Sequence, residues 1–272
     1  MRNNPFKGKV ALVTGSSRGI GMATAREMGR RGAKVALNAR GEERLEKAKA
    51  ELESSGIETA IVASDVTTIE GCRDMVERTV SELGGLDILV NNAGMSMRSN
   101  LEELEPETCR KMVDLNLMGC IYATQFAIPH IKKNGGSILY ISSIGGLIGL
   151  PTASIYCATK TALRGLADSL RCELAEDGVH VGVVYVGFTQ NDPDKTVAGP
   201  AGKQVPHDRP AHMTWEQVGH EVCSVVKHRR RHNVLTPAGK LANFTAWLSP
   251  RTVEQAIILS RRFKLSEMLG MR

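Results

Sequence analysis

The chain has 272 residues, 42% of them hydrophobic, and carries a formal net charge of +6. That length and apolar content suit one large α/β domain with its own core, and with no apolar run of about 18 residues a membrane-spanning helix is not expected. The mild positive charge would favour an anionic ligand but is too diffuse to point to nucleic acid.

Residues 9–14 form a short apolar run that ends in Gly15-Ser16-Ser17-Arg18-Gly19-Ile20-Gly21. A helical pattern follows, carrying Ala23, Ala25 and Met28 before Gly32, and residues 34–39 read as a second strand. Strand, glycine turn, helix, strand is the context that a dinucleotide fingerprint needs. Glycines let the backbone approach a pyrophosphate, and the helix N-terminus aims unpaired N–H groups at it.

The spacing Thr-Gly-x-x-x-Gly-x-Gly from Thr14 to Gly21 resembles that of the short-chain dehydrogenase/reductase family rather than the commoner Gly-x-Gly-x-x-Gly. The resemblance implies that Gly15, Ser17, Arg18, Gly19, Ile20 and Gly21 hold a nicotinamide dinucleotide. The second strand ends at Leu37-Asn38-Ala39-Arg40, without the acid that would accept from a ribose 2′-hydroxyl. Arg40 and Arg18 instead offer two guanidiniums suited to a 2′-phosphate, so NADP(H) is the expected cofactor.

Residues 42–55 have the charge mixture of an exposed helix, and residues 57–63 form a third strand before Ser64-Asp65-Val66. In the resembled family an Asp at the place of Asp65 contacts the adenine amino group, helped by the backbone of the next residue, here Val66. The competing reading makes Asp65 the N-cap of the helix that starts near Ile69. Residues 86–90 form a fourth strand running into Asn91-Asn92-Ala93-Gly94. That tetrapeptide matches a family motif in which the asparagines tie the sheet together and the small residues, Asn92, Ala93 and Gly94 among them, make room for the cofactor. One helix is expected over residues 108–133. Asn116 lies inside it, in Asn-x-x-Gly, and so poor a helix former there needs a reason. The family reason is a water that links the catalytic lysine to solvent.

The fifth strand, 136–141, ends at Ser142-Ser143, and the next helix carries Tyr156-Cys157-Ala158-Thr159-Lys160. A tyrosine and a lysine four apart share a helix face, and an ammonium beside a phenol favours the phenolate. The resemblance makes Tyr156 the acid/base, Lys160 its partner and ribose ligand, and Ser143, thirteen residues before Tyr156, the catalytic serine in preference to Ser142. Leu163, Leu166, Leu170 and Leu174 follow at three- and four-residue steps, as core or as a helix interface.

After a sixth strand at 180–185 the family has Pro-Gly, but this chain has Val186-Gly187-Phe188-Thr189. Loss of the proline is expected to loosen a turn behind the nicotinamide, with Gly187 beside the cofactor and Thr189 or Asn191 on its carboxamide. Residues 190–213 show no periodicity and read as a lid over the substrate. A helix follows from Thr214, then the basic run 227–232, read as a solvated helix end, and a short strand at 233–236.

The fold class expected is α/β: one doubly wound, Rossmann-type parallel sheet of about seven strands with helices on both faces. Residues 1–240 form the nucleotide-binding and catalytic domain. A tail, 241–272, packs on the pocket or between subunits, with a membrane surface the less favoured partner. Six cysteines without a Cys-x-x-Cys pair and a polar start at Met1 point to reduced thiols in a cytoplasmic protein without a secretory signal. The seven histidines show no ligand spacing, so no metal is expected. The implied activity is hydride transfer between NADP(H) and a small-molecule carbonyl or alcohol, by a homodimer or homotetramer that does not bind nucleic acid. Two alternatives stand beside it: a non-catalytic NADP-binding sensor or partner protein, and a membrane-surface reductase of lipid- or steroid-like ketones.

Overall fold

Strands β1 (Val10–Val13) and β4 (Ile88–Asn91) are buried at every residue, as unbroken apolar runs must be when a parallel sheet is covered on both faces. The computed structural model describes residues 4–192, 195–206 and 211–262. In chain order β1 is followed by α1 (Gly19–Arg30), β2 (Lys34–Ala39), α2 (Glu42–Glu53), β3 (Thr59–Ala63) and α3 (Ile69–Leu83). After β4 come α4 (Pro106–Val113), α5 (Gly119–Ile131), β5 (Ser137–Ser143), α6 (Ser154–Glu173) and β6 (His180–Val186). The chain continues with β7 (Thr196–Ala198), β8 (Gln204–Pro206), α7 (Trp215–His228), β9 (His232–Val234), α8 (Pro237–Leu248) and α9 (Pro250–Arg262).

Seven strands form one sheet in the order β3-β2-β1-β4-β5-β6-β9, all pairs parallel. The two-residue alternation of a strand splits the core into two layers. Val10 and Leu12 face the side of α3, α5 and α6, packing with Met75, Ala123 and Leu163. Ala11 and Val13 face α1, α2 and α7, packing with Met28, Leu45 and Val222. The seven strands and the two helical layers are those expected from the sequence.

Three expectations change. The helix expected over 108–133 is two helices joined by a π-helical segment, Asp114–Met118. The stretch 190–213 is not irregular throughout, because β7 and β8 pair antiparallel. Ala198 pins that hairpin to the body, donating to Ser96 O and accepting from Arg98 N. Strands of three residues are too short to show a period, which is why the sequence reads as loop. At the family's proline position β6 is not loosened: Val186 extends the ladder and pairs with Ser143. A residue that keeps its N–H can continue a strand where proline would end it.

The basic run closes α7. Arg229 adopts the left-handed conformation there, and its guanidinium donates to Gly135 O and Gly178 O. The expected tail from Leu241 begins inside α8, and residues 263–272 lie outside the described residues. Leu241, Phe244, Trp247 and Leu248 are exposed on α8. Among the described residues no helix is long and apolar enough to cross a membrane.

His180 opens β6 at 5% exposure. Its Nε2 donates to Arg230 O at 2.9 Å, and Nδ1 lies 3.3 Å from Ser137 Oγ. Burial pushes its pKa down from 6.5 to about 4. The unfolded chain therefore binds the proton first, and stability falls as pH drops from about 6.5 toward about 4. We expect urea unfolding to show about 2 kcal/mol more loss between about pH 7 and 5 for the wild type than for His180→Gln. Equal slopes in the two proteins would remove His180 as the cause.

Candidate active site

The sheet order reverses at β1, which neighbours β2 on one side and β4 on the other. β1 leads into α1 on one face, whereas β4 leads by way of α4 into α5 on the other. The connections part at the carboxyl ends of these strands, and such a switch point leaves a crevice. Here a knot of side chain and main chain closes its floor. Thr14 Oγ1 accepts from Asn92 N (2.9 Å) and Ala93 N (3.0 Å). Asn92 Nδ2 donates to Thr14 O (2.9 Å) and Gly15 O (3.1 Å). Asn91 faces the other way and donates to Thr124 Oγ1 at 3.2 Å.

The knot brings the glycine loop hard against the end of β4. A Cβ on Gly21 would stand 2.4 Å from Gly15 O and 2.6 Å from Asn92 Nδ2. Only glycine fits there. Helix α1 starts at Gly19 with no side-chain cap and no acid in its first turn, so its N–H groups are left to whatever fills the cleft.

That cleft has a volume of about 820 Å³. All the expected cofactor residues line it: Gly15, Ser17, Arg18, Gly19, Ile20 and Gly21; Arg40, Asp65 and Val66; Asn92, Ala93 and Gly94; Tyr156, Lys160, Gly187 and Thr189. Ser143 lines it as well. Of the two candidates after Gly187, Thr189 is on the wall and Asn191 is not. The wall also takes residues that the sequence does not single out: Arg44 in the first turn of α2, Asp192 and Lys195 between β6 and β7, Trp215 at the start of α7, and Ala238, Gly239 and Ala242 on α8. Arg44 follows Arg40 by four residues, across the N-cap of α2 at Gly41.

At one end, near the ends of β2 and β3, Arg40 and Arg44 stand together with Asp65. Asp65 is not the N-cap of α3. Thr68 is, accepting from Gly71 N at 3.0 Å. The Asp65 carboxylate instead accepts from Thr67 N (2.9 Å) and Thr67 Oγ1 (2.8 Å), a local turn that fixes it on the wall. Arg18 does not simply join Arg40: its guanidinium is engaged by the Asp192 carboxylate at 2.8 Å. Counting lining side chains, five cations (Arg18, Arg40, Arg44, Lys160, Lys195) face three acids (Glu43, Asp65, Asp192), an excess that suits a polyanionic ligand. The uncapped helix start, the glycine crowding and this charge fit a phosphate-bearing dinucleotide.

At the other end Ser142 and Ser143 part company because they alternate on β5. Ser142 is buried and donates to Lys160 O at 3.0 Å, so it holds α6 against the sheet. Ser143 is half-buried on the cleft wall, and its Oγ accepts from Gly145 N at 3.2 Å. Lys160 is 5% exposed and its Nζ donates to Ile141 O at 2.9 Å. The ammonium lies 5.9 Å from the centre of the Tyr156 ring. Burial lowers the Lys160 pKa from its ordinary value, with Lys195 adding to the effect.

Asn116 is fully buried and does not line the cleft. The π-helical segment turns its carboxamide onto the main chain of Met95: Oδ1 accepts from Met95 N (2.8 Å) and Nδ2 donates to Met95 O (2.9 Å). Nδ2 also donates to Thr159 Oγ1, at 3.2 Å. A Cβ on Gly94 would lie 3.1 Å from Asn116 Oδ1 and 3.5 Å from Lys160 Nζ, so the two groups flank one glycine.

Residues 9–199 match the short chain dehydrogenase family. The chain is similar to an 11-beta-hydroxysteroid dehydrogenase-like protein (4A) of Arabidopsis thaliana, 41% identical over 186 residues, covering 68% of this chain and 62% of that protein. The chain thus matches about three fifths of the length of this curated relative. Among solved structures, a dehydrogenase/reductase from Sinorhizobium meliloti 1021 has a TM-score of 0.74 at 29% identity, over 85% of this chain and 95% of that one. An alcohol dehydrogenase from the archaeon Thermococcus sibiricus, solved with 5-hydroxy-NADP, has a TM-score of 0.72 at 29% identity, over 84% and 94% of the two chains.

Thr14→Val keeps the shape of the knot but removes the acceptor for two N–H groups at a site 3% exposed. Its unfolding free energy in urea is expected to fall by about 1–3 kcal/mol, with Thr14→Ser near wild type. A neutral Thr14→Val would show that the knot does not hold the cleft floor.

Proposed function

The chain belongs to the short-chain dehydrogenase family, and from that premise we propose that it is an NADP(H)-dependent oxidoreductase acting on a carbonyl/secondary-alcohol pair. One observation carries the reading: Ser143, Tyr156 and Lys160 share one end of a cleft whose other end presents Arg40 and Arg44 without an acid at the β2 terminus. The glycine loop, Asp65, Val66 and the Asn92-Ala93-Gly94 turn would hold the dinucleotide between those ends. When bound, the nicotinamide supplies or accepts the hydride.

The chain's own part is the proton. Ser143 Oγ holds the substrate oxygen, and the Tyr156 phenol donates to that oxygen in reduction or takes the proton back in oxidation. The Lys160 ammonium beside the ring favours the phenolate and brings the phenol toward neutral-pH chemistry. Its anchor at Ile141 O keeps it in place through the cycle. Asn116 acts at one remove, fixing the Met95 backbone and Gly94 next to Lys160. Ile144, Ile148, Leu150 and Phe188 line the reactive end, which favours an apolar ketone, aldehyde or alcohol over a charged one.

NADPH oxidation across a panel of apolar ketones, aldehydes, quinones and steroids tests the reaction class. Tyr156→Phe is expected to lose at least about 10²-fold in turnover while NADPH affinity stays within about three-fold. Near-normal turnover in that variant, or none in the wild type across the panel, would defeat the assignment.

Arg40→Ala tests the cofactor. Its Kd for NADPH is expected to rise about ten-fold or more while the Kd for NADH barely moves, since only NADPH carries the 2′-phosphate. Equal changes for both nucleotides would mean that Arg40 does not read that group.

A further inference from the structure

The glycine motif, the arginines Arg40 and Arg44 and the Tyr-x-x-x-Lys pair leave one described cation of the cleft, Lys195, without a role. Lys195 stands in the lid, half-buried, on the same wall as the glycine loop and Lys160. Its position is built. The Lys195 N–H donates to Asp192 O at 3.0 Å, and the Asp192 carboxylate meets Arg18 at 2.8 Å. On the other side Lys195 runs directly into β7, whose Ala198 is tied to Ser96 and Arg98 on the body of the protein.

Arg18 and Asp192 are the charges that act on Lys195, and Lys195 in turn acts on Lys160. Arg18 is the N-cap of α1, whose N–H groups have no side-chain cap and no acid in the first turn. Asp192, whose carbonyl receives the Lys195 N–H, holds Arg18 at the start of α1, so Lys195 stands near the open end of that helix on the wall it shares with Lys160. An ammonium there is opposed by desolvation and by Arg18, with Asp192 the one acid offsetting them, and its pKa lies below the ordinary value. An anion seated on the N-terminus of α1 would meet Lys195 from the lid side and remove that conflict.

We propose that Lys195 is a cofactor-binding residue that grips the diphosphate bridge of the dinucleotide from the lid, opposite the N-terminus of α1. The proposal rests on the dinucleotide reading of the cleft given above. The contact is charge-assisted and does not depend on the substrate. The diphosphate is common to NADPH and NADH, so Lys195 adds affinity for both and discrimination for neither.

The test is equilibrium binding of NADPH and of NADH, by calorimetry or nucleotide fluorescence, to wild type, Lys195→Met and Lys195→Arg. Lys195→Met is expected to weaken both nucleotides by the same factor, about ten-fold or more, and to flatten the salt dependence of binding. Lys195→Arg is expected to restore both to within about three-fold of wild type. Loss for NADPH alone would place the ammonium on the 2′-phosphate and overturn the assignment. Unchanged binding with a raised KM for the carbonyl substrate would place it on the substrate and overturn it equally. Failure of Lys195→Arg to restore binding would trace the loss to lid packing, which also defeats the proposal. A wild type that binds neither nucleotide would sink the dinucleotide reading itself. Tight wild-type binding matched by Lys195→Met would sink only the role of Lys195.

Discussion

Where β1 and β4 stop running side by side, two N–H groups at the end of β4 need an acceptor, and Thr14 Oγ1 provides it to both. Much of the site depends on this substitution of a side chain for a ladder. A parallel sheet opens a crevice only where its connections diverge to opposite faces. Divergence leaves backbone polar groups unsatisfied at the bottom of the crevice, where water is scarce and an orphaned donor is expensive. The Thr14–Asn92 exchange satisfies Asn92 N and Ala93 N together with the carbonyls of Thr14 and Gly15. It draws the two strand ends so close that no side chain fits at Gly21. Gly15 and Gly21 are thus a steric consequence of the knot as well as an approach for phosphate.

The second constraint is electrostatic. A lysine buried at 5% exposure, with one carbonyl for an anchor, keeps its charge at a cost. Ile141 O partly compensates, and the anchor also stops the side chain from extending into solvent. Burial thus fixes the ammonium at a set distance from the Tyr156 ring. Ser142 supports the same arrangement from behind by bonding Lys160 O, while Ser143, one residue on, turns into the cleft. A single step along β5 separates a packing serine from one able to meet a substrate.

Much of this was legible in the sequence, for a physical reason. Buried parallel strands appear as unbroken apolar runs, and glycines crowded by backbone tolerate no substitute, so the sheet and the glycine loop can be read directly. The parts that escaped depend on tertiary contacts. Strands of three residues such as β7 and β8 are too short to carry a period and are held by Ser96 and Arg98, far away in sequence. The pairing of Arg18 with Asp192 joins residues 174 positions apart, and nothing local signals it. Asp65 and Thr68 both suit an N-cap by residue type, and only the geometry of the turn chooses Thr68. Val186 in place of proline read as a weakness, yet the N–H it restores lets β6 run on beside Ser143.

The π-helical segment at Asp114–Met118 amounts to a phase offset between two helices. A π turn takes one residue more than the α-helical path it replaces, so α4 and α5 are out of register by about 100° of rotation, one residue's share of a turn. Deleting one residue there would regularise the hydrogen-bond ladder and make a better helix by every local measure. It would also swing α4 around its axis, carrying Met112 off the core and the Asn116 carboxamide off Met95. Insertions and deletions in this stretch are therefore constrained as angles rather than as lengths. The chain can lengthen a loop at little cost, but it cannot shorten this helix by a single residue and keep its asparagine where it is.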